Sequence, residues 1–113
     1  MAARIHRVTL FKLPKPADQQ KLIDRYKTLL ATNTRNGKPY ILSLVAGVTE
    51  DDSRRDGFTV VSKTEFAAMD DMRYYDDECE AHAQLKAFAK NELTVEGVLT
   101  AFFTPAVVGG AAH

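Results

Sequence analysis

Three side chains in this sequence are suited to moving protons near neutral pH: His6, Tyr75 and His82. A phenol can donate to a carbonyl oxygen and an imidazole can take a proton from the neighbouring carbon, so the set around one pocket would suit acid–base work on a carbonyl compound. Tyr75 and His82 are seven residues apart, close to two helical turns, so a continuous helix would carry both on one side. The plainer alternative for each is structural: a core histidine with a satisfied hydrogen bond, and a core aromatic with its hydroxyl at the edge.

The remaining reactive side chains offer less. Asp70-Asp71, Asp76-Asp77-Glu78 and Glu80 form an acidic stretch whose adjacent carboxylates diverge on a helix and read as a solvated face. Cys79 sits among acids that oppose thiolate formation. GxSxG, a phosphate loop, a dinucleotide fingerprint and HExxH are all missing from the sequence, and no cofactor or metal is expected.

The elements that must position these residues follow from patterning. Arg4 to Lys12 alternates as a strand, with His6, Val8 and Leu10 on one face and Ile5, Thr9 and Phe11 on the other. Pro14 and Pro16 end it, and Pro16 suits the first turn of a helix in which Leu22, Ile23, Tyr26, Leu29 and Leu30 form an apolar stripe. Tyr26, on that stripe, reads as pocket wall.

Asn36-Gly37 signals a turn, after which Tyr40 to Val48 reads as a strand buried on both faces. Polar residues 50–57 must be a connection to a further strand from Phe58 to about Phe66. Residues 67–91 lack Gly and Pro and predict a second helix, broken near its start, and 95–104 predicts the last strand, closed by Pro105. The order βαββαβ predicts an α+β, ferredoxin-like subunit with a four-stranded antiparallel sheet, spanning residues 4–105, with 106–113 as a flexible tail that includes His113.

Composition narrows the function classes. At 113 residues there is room for one domain. Fifteen Lys plus Arg against fifteen Asp plus Glu leave no basic excess for nucleic acid. The single cysteine excludes an intrachain disulfide and suits a reducing compartment. The longest apolar runs fall far short of the ~18 residues of a membrane span, and basic residues interrupt any signal-peptide core, so a soluble, cytoplasmic protein without a membrane partner is expected.

Two helices can cover one face of a four-stranded sheet, yet apolar residues occupy both. With His6, Val8, Leu10, Val60, Val98 and Phe102 turned toward the helices, the opposite face would present Ile5, Phe11, Val61, Leu99, Ala101 and Phe103. Arg7, Lys63 and Glu65 would share it, paired or at its rim. A second copy packed sheet against sheet would cover that patch, predicting a homodimer.

The opening Ile5-His6-Arg7-Val8-Thr9-Leu10-Phe11-Lys12, the hairpin entry Gly57-Phe58-Thr59, Phe66 followed by Tyr75 and His82, and the ending Phe103-Thr104-Pro105 resemble the stress-responsive A/B barrel family over roughly residues 4–105. The resemblance implies subunits that pair into a dimeric α/β barrel. Members of that family include stress proteins and a plant polyketide cyclase, olivetolic acid cyclase. By resemblance Tyr75 and His82 are the catalytic pair, His6 lines the pocket, and Leu22, Ile23 and Tyr26 wall an acyl chain. Val60 and Phe102 stand where the cyclase has a pocket histidine and an aspartate, and the tyrosine-to-histidine interval is one residue longer. The expectation is therefore a homodimer binding a small hydrophobic or polyketide-like ligand at His6, Val8, Leu10, Leu22, Ile23, Tyr26, Val60 and Phe102, with cyclase-like aldol or proton-transfer activity. The alternatives are a non-enzymatic stress or interaction protein with a packed interior, and a monooxygenase-like relative sharing only the barrel.

Overall fold

The computed structural model describes residues 4–111. Strand β1 (Ile5–Lys12) ends before Pro14, and helix α1 (Pro16–Thr32) starts on the second proline, whose missing N–H costs nothing in a first turn. Strands β2 (Ser43–Val48) and β3 (Val60–Phe66) follow, then helices α2 (Met69–Asp77) and α3 (Glu80–Glu92), and strand β4 (Gly97–Phe103). The sheet order is β2-β3-β1-β4 with antiparallel neighbours throughout, and the helices lie on one face. This is the ferredoxin-like α+β architecture expected from the element order. No helix among the described residues is long and apolar enough to cross a membrane.

Two details differ from expectation. The expected break in the second helix lies nearer its middle than its start, at Glu78 and Cys79, because Cys79 takes an extended backbone (φ −65°, ψ 116°) that a helix cannot continue through. Strand β2 is not buried on both faces: it is an edge strand, and Val45 is 65% exposed. Residues 106–111 form no helix or strand, and His113 lies outside the described residues.

The pairing register decides which side chains meet the helices. Ile5 lies opposite Phe66, Arg7 opposite Thr64 and Phe102, Thr9 opposite Ser62 and Thr100, and Phe11 opposite Val60 and Val98. These rows carry the buried positions, so Ile5, Arg7, Thr9 and Phe11 face the helices while His6, Val8 and Leu10 face the open side. The expected facing of β1 is thus corrected by one residue. Arg7, expected on the opposite face, paired or at its rim, instead buries its guanidinium beneath the helices and pairs with Asp76 at 3.0 Å. Ile5 and Phe11 accordingly belong to the core; the open face carries Val8, Leu10, Val45, Val61, Leu99, Ala101 and Phe103.

Beneath the helices Leu22, Tyr26 and Leu29 from α1 pack with Leu13, Val60, Phe66, Met72, Tyr75, Cys79 and Leu85. The α1–β2 connection is held by one side chain. Buried Asn33 donates to the carbonyls of Leu29 (3.2 Å) and Leu30 (3.0 Å) and accepts from the N–H groups of Tyr40 (3.1 Å) and Ile41 (3.2 Å). Between them Asn36 and Gly37 turn the chain with φ of 54° and 76°, a pair of positive values that asparagine and glycine tolerate best. Asn33→Ala strands two inward-facing amides, so urea unfolding should show a loss of about 2 kcal/mol. A loss under ~0.5 kcal/mol, the range of an ordinary surface substitution, would remove Asn33 from this role.

Candidate functional site

Between the helix-facing side of the sheet and α3 lies a cleft of about 390 Å³. From β1 come Arg7, Thr9 and Phe11; from α1, Tyr26; from α3 and its exit, His82, Leu85, Lys86, Ala89, Lys90 and Val95; and from β4, Val98 and Thr100. Side chains alternate along β1 with period two, and α3 offers positions 82, 85, 86 and 89 at helical spacing, so one strand row and one helix face enclose the space.

His82 is the titratable group at the centre of the question. It is buried, and its Nδ1 lies 2.7 Å from the main-chain carbonyl oxygen of Tyr75. A carbonyl can only accept, so Nδ1 carries the proton and the neutral ring is left with a bare Nε2 lone pair. Nε2 has no protein partner among the described residues and is the acceptor the ring brings to the cleft wall. Burial pushes the imidazole down to about 3, so the ring is neutral at physiological pH.

The helix break supplies that carbonyl. In an unbroken helix the Cys79 N–H would bond to Tyr75, but here the N–H groups of both Glu78 and Cys79 turn to the Tyr74 carbonyl, at 2.8 Å each. The Tyr75 oxygen is therefore free for the imidazole. The group that orients the imidazole is thus the main chain.

Tyr75 itself is placed differently from expectation. Its ring stacks on His82 with centroids 3.7 Å apart and planes 10° from parallel. Its hydroxyl is buried, has no hydrogen-bond partner, and does not line the cleft. Burial pushes the phenol up, so it stays protonated at any physiological pH. A continuous helix would have carried both side chains on one side toward one pocket; across two helices the rings stack face to face instead.

Of the other expected site residues, Tyr26 reaches the cleft, its hydroxyl 2.9 Å from Ser62 Oγ and its pKa raised by burial. Leu22, Ile23 and Val60 pack in or against the core behind it and do not line it. Phe102 has the expected facing but is half exposed at the sheet edge, outside the cleft. His6, Val8 and Leu10 are corrected to the open face, where His6 Nε2 lies 3.5 Å from Glu65 and its ring 5.4 Å from that of Phe103.

Arg7 is the cleft residue that sequence reasoning missed. Its Nη1 donates to Thr9 Oγ1 at 2.9 Å, its Nη2 meets Asp76, and its guanidinium lies 5.1 Å from the Tyr75 ring centroid. Thr9 in turn shares a 3.1 Å hydrogen bond with Thr100. The alternation of β1 could have revealed this, since Arg7 lies in one row with Ile5, Thr9 and Phe11.

Comparison with known proteins follows the same lines. Residues 5–98 match the sequence description of the Stress responsive A/B Barrel Domain. A "Fusaristatin A biosynthesis cluster protein" of Gibberella zeae is 51% identical over 111 residues, 98% of this chain and 80% of that protein. Among solved structures, a dimeric ferredoxin-like protein of unknown function from Thermobifida fusca superposes with a TM-score of 0.74 at 15% identity, covering 93% of each chain. Hydroxynitrile lyase from Passiflora edulis superposes with 0.71 at 12% identity, covering 97% of this chain and 100% of the lyase.

Proposed function

Because the chain belongs to the stress-responsive A/B barrel family, we propose that it forms a homodimer in which each subunit's cleft binds a small, largely apolar carbonyl compound and moves a proton on it through His82. The observation that carries this is the fixed tautomer: Nδ1 is committed to the Tyr75 carbonyl, so Nε2 is left as the proton acceptor of a histidine that lines the cleft. The open volume beside it favours ligand binding over an interior filled by the protein's own side chains.

In this reading Nε2 takes a proton from the carbon between two carbonyls, and the C–H electron pair moves onto the carbonyl oxygen as an enolate. The imidazolium then lies against the face of the Tyr75 ring, which is attractive for a cation. Tyr75 is thus a positioning residue acting through its carbonyl and its ring. Low basicity at His82 restricts the step to acidic carbon acids such as β-dicarbonyl compounds.

Dimerisation is supported by the apolar open sheet face and by the dimeric assembly of the Thermobifida fusca protein. The name of the Gibberella zeae relative, a fusaristatin A biosynthesis cluster protein, supports a biosynthetic intermediate as the ligand. The domain in this reading is residues 4–105, with 106–113 as a tail.

Proton exchange on nonane-2,4-dione in deuterated buffer, followed by NMR, tests the assignment. Wild-type protein should accelerate exchange at the central carbon, His82→Gln should lose about a hundredfold of that acceleration, and Tyr75→Phe should keep most of it. Exchange no faster than in buffer alone, or unaltered by His82→Gln, removes His82 from the chemistry.

A further inference from the structure

Resting on the reading of the cleft as a ligand site, we infer that its ligand is an anion: an acyl compound whose negatively charged oxygen is held by the Arg7 guanidinium at the His82 end. Arg7 is an unusual residue to find under a helical layer, with a side chain only 11% exposed. Such a group is kept where its charge is answered. Asp76 answers it through one nitrogen only, Nη2, and Thr9 takes one bond from Nη1. Arginine has five N–H groups, and here Nε is buried with no partner at all among the described residues.

Charge along the walls points the same way. The cleft is lined by Arg7, Lys86 and Lys90 and by no aspartate or glutamate. Lys86 donates to the main-chain oxygen of Asp76 at 2.9 Å, and neither lysine meets a carboxylate among the described residues. One carboxylate at Arg7 against three cations leaves the space electropositive, which attracts and orients anions.

The walls also give the ligand a direction. Arg7 and His82 both lie against the Tyr75 ring and so share one end of the cleft, while Phe11 and Val98, paired across β1 and β4, lie further along the strands. A charged oxygen at the first end and a hydrocarbon body along the second satisfies both. The arrangement would equally steady the enolate oxygen formed when His82 takes a proton.

Calorimetric titration with octanoate and octanamide, which differ in charge but little in shape, tests the inference. Wild-type protein should bind octanoate about tenfold more tightly, because a hydrogen bond to an ionised acceptor is stronger than one to a neutral amide. Arg7→Gln should bring the two affinities together, and Arg7→Lys, which keeps a cation for Asp76, should retain the fold and part of the preference. Equal binding of the two compounds by wild-type protein overturns the inference and leaves the apolar cleft standing. A full preference surviving in Arg7→Lys but lost in Lys86→Gln also overturns it, by moving the anion to the rim. Binding of neither compound overturns both readings.

Discussion

Replacing Leu10 by arginine should yield a folded monomer at micromolar concentration, where the proposed homodimer predicts that the wild-type protein sediments as a dimer. Leu10 lies between Val61 and Leu99 on the open sheet face, so sheet-against-sheet pairing would bury it. Symmetry introduces the substitution twice, and each unpaired buried charge costs about 3 kcal/mol or more, so the dimer dissociation constant should rise by roughly 10⁴-fold. Leu10 points away from the helices and the core beneath them, so far-ultraviolet circular dichroism should be unchanged. Leu30→Arg, at an exposed position on α1, is the control that should leave assembly intact. Persistence of the dimer in the Leu10 variant would place the interface elsewhere.

Acid should destabilise the protein through His82 before most carboxylates titrate. The imidazole titrates at about 3 in the fold, against 6.5 for an unperturbed histidine, because burial disfavours its charged form. Between those values the unfolded chain binds a proton that the folded chain refuses, so stability is fully present above about pH 6.5 and falls as the pH drops. The slope approaches ~1.4 kcal/mol per pH unit, or about 3 kcal/mol between pH 7 and pH 4. Urea unfolding of wild type and His82→Gln at one protein concentration isolates the effect. The wild type's curve should converge on the variant's by that amount as the pH falls; parallel curves would mean that the ring is not held neutral by the fold.

The element order was legible because each signal was local. Pro14 and Pro16, the stripe from Leu22 to Leu29, and the period-two strands each act within a few residues, and together they predict the ferredoxin-like subunit. What stayed hidden depends on distant partners. The facing of β1 turned on whether Arg7 would find Asp76, 69 residues away, and a charged side chain gives no sign of a buried partner at that distance. The role of Asn33 was equally invisible, since its acceptors and donors lie on both sides of a turn. The site was half legible: His82 and Tyr26 reach the cleft, while the tyrosine hydroxyl and His6 do not. The break at Cys79 explains the first miss, because extending one helix through it aims Tyr75 at the wrong neighbour.

That break also bears on how the site can vary among relatives. A histidine steered by an aspartate loses its steering with one codon change, but here the acceptor is peptide oxygen, present whatever residue occupies position 75. A substitution there removes the ring that stacks on His82 but leaves the acceptor in place, so long as the chain still leaves its helical course at Cys79. The safeguarded feature is a contour of the backbone, so an alignment column at that position would understate its importance.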